Sequence, residues 1–216
     1  MSLQYISQVM PAVKFNIAKL ATKQAEPTTR GLASVERLLY FVYMNRERPV
    51  SLTAWEGSVL RVYSDASFNC HRDQKSHTGV VICDERCRNC VYTGSNKQTC
   101  VTQSSTDAEL VALCASIPNG SLFREVLQEF RIHVRVIHLV DNESTRTQVS
   151  NGILRCGEMM RHVRNRIAFA EAYFIDKENR VSHSWCETAQ MVADLMTKCL
   201  GSALYGRHEP IVMGYG

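Results

Sequence analysis

Three short β-rich runs, VLRVYSDASF (59–68), TGVVIC (78–83) and CVYTG (90–94), follow one another with only polar connections between them. That grammar predicts an antiparallel meander. After it the pattern alternates. SSTDAELVALCAS (104–116) and NGSLFREVLQEFRI (119–132) read as two helices, and VRVIHLVD (134–141) as a buried strand ending in an acid. Residues 142–151 and 158–175 are helical in pattern, RVSHSW (180–185) is a fifth strand, and ETAQMVADLMTKCL (187–200) reads as a closing helix. A meander followed by this alternation predicts an α/β (α+β mixed) fold, one five-stranded mixed sheet flanked by helices on both faces.

Ahead of the sheet, Ile6, Met10, Val13, Ile17 and Leu20 recur at mixed helical spacing until Pro27 stops them. TTRGLASVERLLYFVYMN (28–45) resumes the pattern, and Pro49 marks a boundary. The chain therefore divides into a small N-terminal helical appendage, 1–50, and a larger domain, 51–216. An amphipathic helix cannot leave its apolar face in water, so residues 1–50 are expected to pack on the core or on a partner. Lys14, Lys19 and Lys23 precede the first acid, Glu26, which reads either as an ordinary basic helix or as a faint organelle-targeting pattern.

With 45% apolar and 21% charged residues the chain is of globular composition. A net charge of +4 permits a polyanionic partner without requiring one. No uninterrupted apolar run approaches the roughly 18 residues a bilayer span needs, so no membrane span is expected. Nine cysteines, odd in number and without rhythm, suggest reduced thiols in an intracellular, reducing compartment. Cys83, Cys87 and Cys90 cluster around a charged hairpin tip, but three thiols are an incomplete zinc set. No Gly-rich phosphate loop, nucleophile elbow or HExxH pattern is present.

Four acids carry the chemistry. Asp65 interrupts a strand, where a carboxylate neither packs nor completes the ladder. Asp141 ends the fourth strand, at the edge where open α/β sheets bind ligands. Glu109 lies early in a helix opened by Ser104-Ser105-Thr106, where either Ser104 with Asp107 or Thr106 with Glu109 forms a capping box. Asp194 falls in the closing segment, with Lys198 four residues on. Singly, each acid also reads as a helix cap or a surface ion pair. Gathered together, such carboxylates repel one another unless a cation neutralises them, and hard oxygen ligands suit Mg²⁺ or Mn²⁺.

In this order the motifs resemble the ribonuclease H domain of copia-type (Pseudoviridae-like) retrotransposon polyproteins. YSDASF resembles that family's first catalytic strand, KSHTGV (75–80) its KSTSGY element, and SSTDAELVAL its SSTEAEYxAL helix. VDNEST resembles its DNxxA segment and WCETAQMVADLMTKCL its closing ADIxTK helix. Residues 5–42 are similar to the tail of the family's reverse transcriptase, and LYGRHEPIVMG to its ending. Departures are Phe68 in place of a tryptophan, and MRHVRNR in place of RTKHIDI, with Arg164 where the family has an acid. The chain holds no YxDD-like polymerase motif, which suggests an excised fragment or a stand-alone protein that kept the end of a retroelement.

The resemblance implies hydrolysis of the RNA strand of an RNA–DNA hybrid, with Asp65, Glu109, Asp141 and Asp194 as catalytic residues holding two Mg²⁺ (or Mn²⁺) ions. Arg161, His162, Arg164 and Arg166, with Arg155 nearby, form the densest basic stretch and a candidate phosphate track; a solvated helix face is the bland reading. Asn142, Ser105 and Gln103 are candidate donors to sugar or phosphate. His183 reads either as a strand histidine or as an aid to product release. The alternative function is a domesticated, non-catalytic subunit, a scaffold in a larger protein or ribonucleoprotein assembly.

Overall fold

The computed structural model describes residues 3–48, 50–155, 159–175 and 180–215. Pro49, the expected boundary, and residue 158, the expected start of a helix, lie outside them. Helices α1 (Leu3–Val9), α2 (Lys14–Ala21) and α3 (Thr29–Met44) precede strands β1 (Val59–Ser67), β2 (His77–Asp84) and β3 (Cys90–Lys97). Then come α4 (Ser105–Glu129), β4 (Arg135–Val140), α5 (Glu143–Asn151), α6 (Arg161–Phe174), β5 (Val181–Trp185) and α7 (Ser202–Met213). The sheet order is β3-β2-β1-β4-β5. The first three strands pair antiparallel, and β4 and β5 add in parallel beside β1.

Strand alternation divides the core in two. Leu60 and Val62 of β1 pack with Val80, Ile82 and Val136 under α4, whereas Tyr63 packs with Val81, Cys83 and Met196 on the opposite face. That second face is where the N-terminal helices seat Met10, Val13 and Ile17. Phe15 meets the His77 ring edge-on at 5.2 Å, and Lys14 Nζ donates to Thr93 O at 2.6 Å.

Two expectations change. The two helices expected over 104–116 and 119–132 are one helix, α4 (Ser105–Glu129), that runs through Pro118. Leu110, Leu113 and Ile117 form one continuous buried face, and side chains cover carbonyls of the turn the proline loosens. Asn119 Nδ2 donates to Ala115 O and Ser116 Oγ to Leu113 O. By length and mean hydropathy (1.2) α4 also meets the measure of a bilayer-crossing helix, as the core helix of a folded domain can, and it packs across the sheet.

The expected closing helix over 187–200 is instead two short 3₁₀ turns, Thr188–Gln190 and Val192–Met196. Every residue from Met191 to Met196 is buried, which leaves no solvent face for an amphipathic helix to present. The helical pattern reappears in α7, which ends on Gly214 in the left-handed conformation (φ 80°).

Candidate active site

Asp65 and Asp141 owe their meeting to strand register. β1 and β4 run parallel, and their last paired residues are Tyr63 and Leu139. Each acid lies two residues beyond that pair, so both emerge past the carboxyl end of β4. β1 outruns β4 there, and the freed N–H of Ala66 donates to Glu109 Oε1 at 3.2 Å. Glu109 is available because Asp107 does the capping: Ser104 Oγ accepts from Asp107 N at 3.1 Å, and Asp107 Oδ2 accepts from Gln103 N at 3.3 Å. Oxygens of Asp65, Glu109 and Asp141 lie within 4.8 Å of one another.

Asp194 approaches from the 3₁₀ turn Val192–Met196. Thr197 Oγ1 donates to Asp65 Oδ2 in a short hydrogen bond and so ties that turn to β1. Lys198 Nζ stands 2.8 Å from Asp194 Oδ1 and 3.6 Å from Asp65 Oδ2. This pair was legible as an i,i+4 spacing, yet it is no surface bridge, since Asp194 is only 3% exposed. Ser95 Oγ on β3 donates to Met196 O at 2.7 Å and lies 2.8 Å from His77 Nε2, anchoring the turn from the other side. Gly79, the β2 partner of Asp65, makes room for the turn that carries Asp194: a Cβ there would meet Thr197 Cγ2 at 2.6 Å and Ala193 O at 2.7 Å.

The electrostatics are those of crowded acids. Burial, then the charges of Asp65 and Asp141, raise Glu109 well above the usual carboxylate range. Burial and Asp65 raise Asp141, although Thr188 opposes them with a hydrogen bond. Burial and Asp65 raise Asp194 to about 7. Burial tends to lower Lys198, but Asp65 and Asp194 outweigh it and hold the ammonium charged. Among the described residues, Glu109 Oε2 is buried without a hydrogen-bond partner. An orphaned carboxylate oxygen facing two other acids, all hard donors, fits a divalent cation.

The remaining sequence candidates are less concentrated. Arg161 and Arg164 are exposed on α6. Arg166 Nη1 pairs with Asp107 Oδ1 at 3.4 Å, and His162 Nε2 lies 3.9 Å from Asp107 Oδ2, so both are tethered to the α4 cap. The Arg155 side chain lies outside the described residues. Asn142 Oδ1 caps α5 by accepting from Thr145 N at 2.9 Å, and Ser105 is exposed at the start of α4. The His183 ring packs on Phe174 at 4.7 Å, and its Nδ1 is buried without a hydrogen-bond partner among the described residues. The thiols form no zinc set among the described residues, because Cys90 Sγ turns to Tyr92 O at 3.6 Å. Thr197, Ser95 and Gly79 had no role in the sequence reading; only the GV of KSHTGV hinted at the last.

Solved structures now supply comparisons. LC11-RNase H1, isolated from compost by a metagenomic approach, is similar with a TM-score of 0.51 and 18% identity, over 65% of this chain and 94% of its own. The N-terminal RNase H domain of rv2228c from Mycobacterium tuberculosis gives 0.49 and 14%, over 65% and 91%. The PFV RNase H domain gives 0.45 and 10%, over 72% and 97%. No family model and no curated protein sequence matches the chain. The fold is that of ribonuclease H, and at the carboxyl edge of its central strands it carries an acidic cluster of Asp65, Glu109 and Asp141.

Proposed function

We propose that this chain is a ribonuclease H-like endonuclease that hydrolyses the RNA strand of RNA–DNA hybrids. The convergence of Asp65, Glu109 and Asp141 within 4.8 Å carries the reading. Asp65, Glu109, Asp141 and Asp194 would hold two Mg²⁺ or Mn²⁺ ions. When bound, such ions supply activation of a water and neutralisation of charge at the phosphodiester. The chain's own part is positional. Thr197 fixes the carboxylate of Asp65, Lys198 offsets the negative charge, and Arg161 and Arg164 face solvent where phosphates pass. Ser105 and Asn142 flank the cluster at the starts of α4 and α5, with polar groups for sugar or phosphate. The ordered copia-type motifs support descent from the end of such a retroelement polyprotein, with residues 1–50 serving as a brace for 51–216.

One observation favours the second reading, a non-catalytic scaffold subunit: Lys198 already places a cation among the acids. Cleavage of a labelled RNA–DNA hybrid, with and without Mg²⁺, separates the two. The nuclease reading expects Mg²⁺-dependent cleavage of the RNA strand, lowered at least about 100-fold by Asp65→Asn. Absence of cleavage by the folded wild-type chain, or cleavage unaffected by Asp65→Asn, would sink it.

A further inference from the structure

A pair of thiols lies on the same face of the sheet as Asp65 but takes no part in the acidic site. Cys83 is fully buried within β2, and Cys87, partly exposed, occupies the turn that leads to β3. Their Sγ atoms are 3.5 Å apart, and Tyr63 Oη lies 3.5 Å from Cys87 Sγ. The turn is built to hold this arrangement. Asp84 Oδ1 accepts from Arg88 N at 2.8 Å, Asp84 Oδ2 accepts from Asn89 Nδ2 at 2.8 Å, and Cys87 takes a left-handed φ of 56°. An L-residue in that region carries a conformational cost, which this frame of hydrogen bonds sustains.

The structure assigns Cys83 and Cys87 as an oxidisable dithiol, in which the outer Cys87 reacts first with a hydroperoxide and the inner Cys83 resolves it to a disulfide. The geometry orders the roles, because only Cys87 reaches solvent and only Cys83 stands behind it. Hydrogen bonds from Cys83 and Tyr63, with the nearby Arg61 charge, draw the Cys87 thiol down to about 6 against the opposing effect of burial. The Cys83 thiol is pushed the other way, first by Cys87 and then by burial, and keeps its proton.

The chemistry balances in two steps. The Cys87 thiolate attacks the hydroperoxide O–O bond and gains one oxygen as a sulfenic acid, and the departing alkoxide or hydroxide takes up a proton. The Cys83 sulfur then attacks the Cys87 sulfur and expels that oxygen; the oxygen leaves as water, carrying the sulfenic proton and the Cys83 proton. The two thiols are oxidised and the hydroperoxide is reduced. Cys90, the third thiol of the turn, is directed to Tyr92 O and stands aside.

The test uses the full chain, first reduced, then exposed to hydrogen peroxide and mapped by mass spectrometry. A peptide cross-linked between Cys83 and Cys87, two hydrogens lighter and restored by dithiothreitol, is expected. Cys83→Ser should trap Cys87 as a dimedone adduct, and Cys87→Ser should give neither product. Alkylation of the wild type provides a measurement independent of how the variants fold: Cys87 should label with a midpoint near pH 6. A cross-link joining other cysteines, or a Cys87 that labels with the same pH profile as the exposed Cys199, overturns the assignment.

Discussion

Lys198 holds its ammonium 2.8 Å from Asp194 Oδ1, four residues back along the chain, in an ion pair whose acidic partner is buried. That charge is the chain's own answer to the repulsion among its acids. Lys198→Met should therefore destabilise the metal-free protein by about 1–2 kcal/mol, a figure reduced from that of a fully buried pair because Lys198 is 41% exposed. Added Mg²⁺ should narrow the gap. Melts in Mg²⁺ and in chelator measure it, and an equal loss in both would show that Lys198 serves packing alone.

Acid crowding also sets a pH dependence. Asp194 rises from 3.8 to about 7 in the fold, so the native state binds that proton more tightly than the unfolded chain does. Metal-free stability should then fall as pH rises through this window, with Glu109 and Asp141 contributing in the same direction. Urea unfolding across the window tests this. Asp194→Asn should flatten the slope, and a slope that rises with pH would contradict the cluster.

Gly79 should tolerate no side chain. Its Cβ would stand 2.8 Å from Met196 Cβ and nearer still to Thr197, forcing the Asp194 turn away from Asp65. Gly79→Ala should cost about 1–3 kcal/mol and weaken the Mg²⁺-induced rise in melting temperature. Unchanged stability with an unchanged response to Mg²⁺ would mean the turn has slack that the contacts do not show.

The N-terminal helices should be inseparable from the sheet. Phe15 is 3% exposed and packs on His77, whose ring belongs to β2. Phe15→Ala should cost about 3–5 kcal/mol in the global unfolding transition. A separate, low-stability transition for residues 3–48, with the sheet's midpoint unmoved, would instead mark them as an independent unit.

Much of this was legible in the chain. Short β-rich runs between polar connections marked the strands, and β2, buried along its whole length, is such a run packed on both faces. Ser104 opened α4 as its hydroxyl position suggested, and once Asp107 takes the cap Glu109 is free for the site. The N-terminal pattern asked for a packing surface without saying which, and Met10, Val13 and Ile17 lie against the sheet. Asp65 stood out because an acid is costly inside a strand, and the register equivalence of Asp65 and Asp141 follows from the parallel pairing of β1 and β4.

Other features were decided by contacts between segments distant in sequence. Helix periodicity over 187–200 yields to 3₁₀ turns where Met191–Met196 is buried with no solvent face, and Pro118 stays within a helix because the sheet covers that helix's inner face. Thr197 on Asp65, Ser95 on Met196 and the space left by Gly79 join residues about 100 or more positions apart. Local chemistry thus chose the elements and supplied the acids. Only tertiary packing decided how close those acids come, since that distance depends on which buried neighbours hold each turn in place.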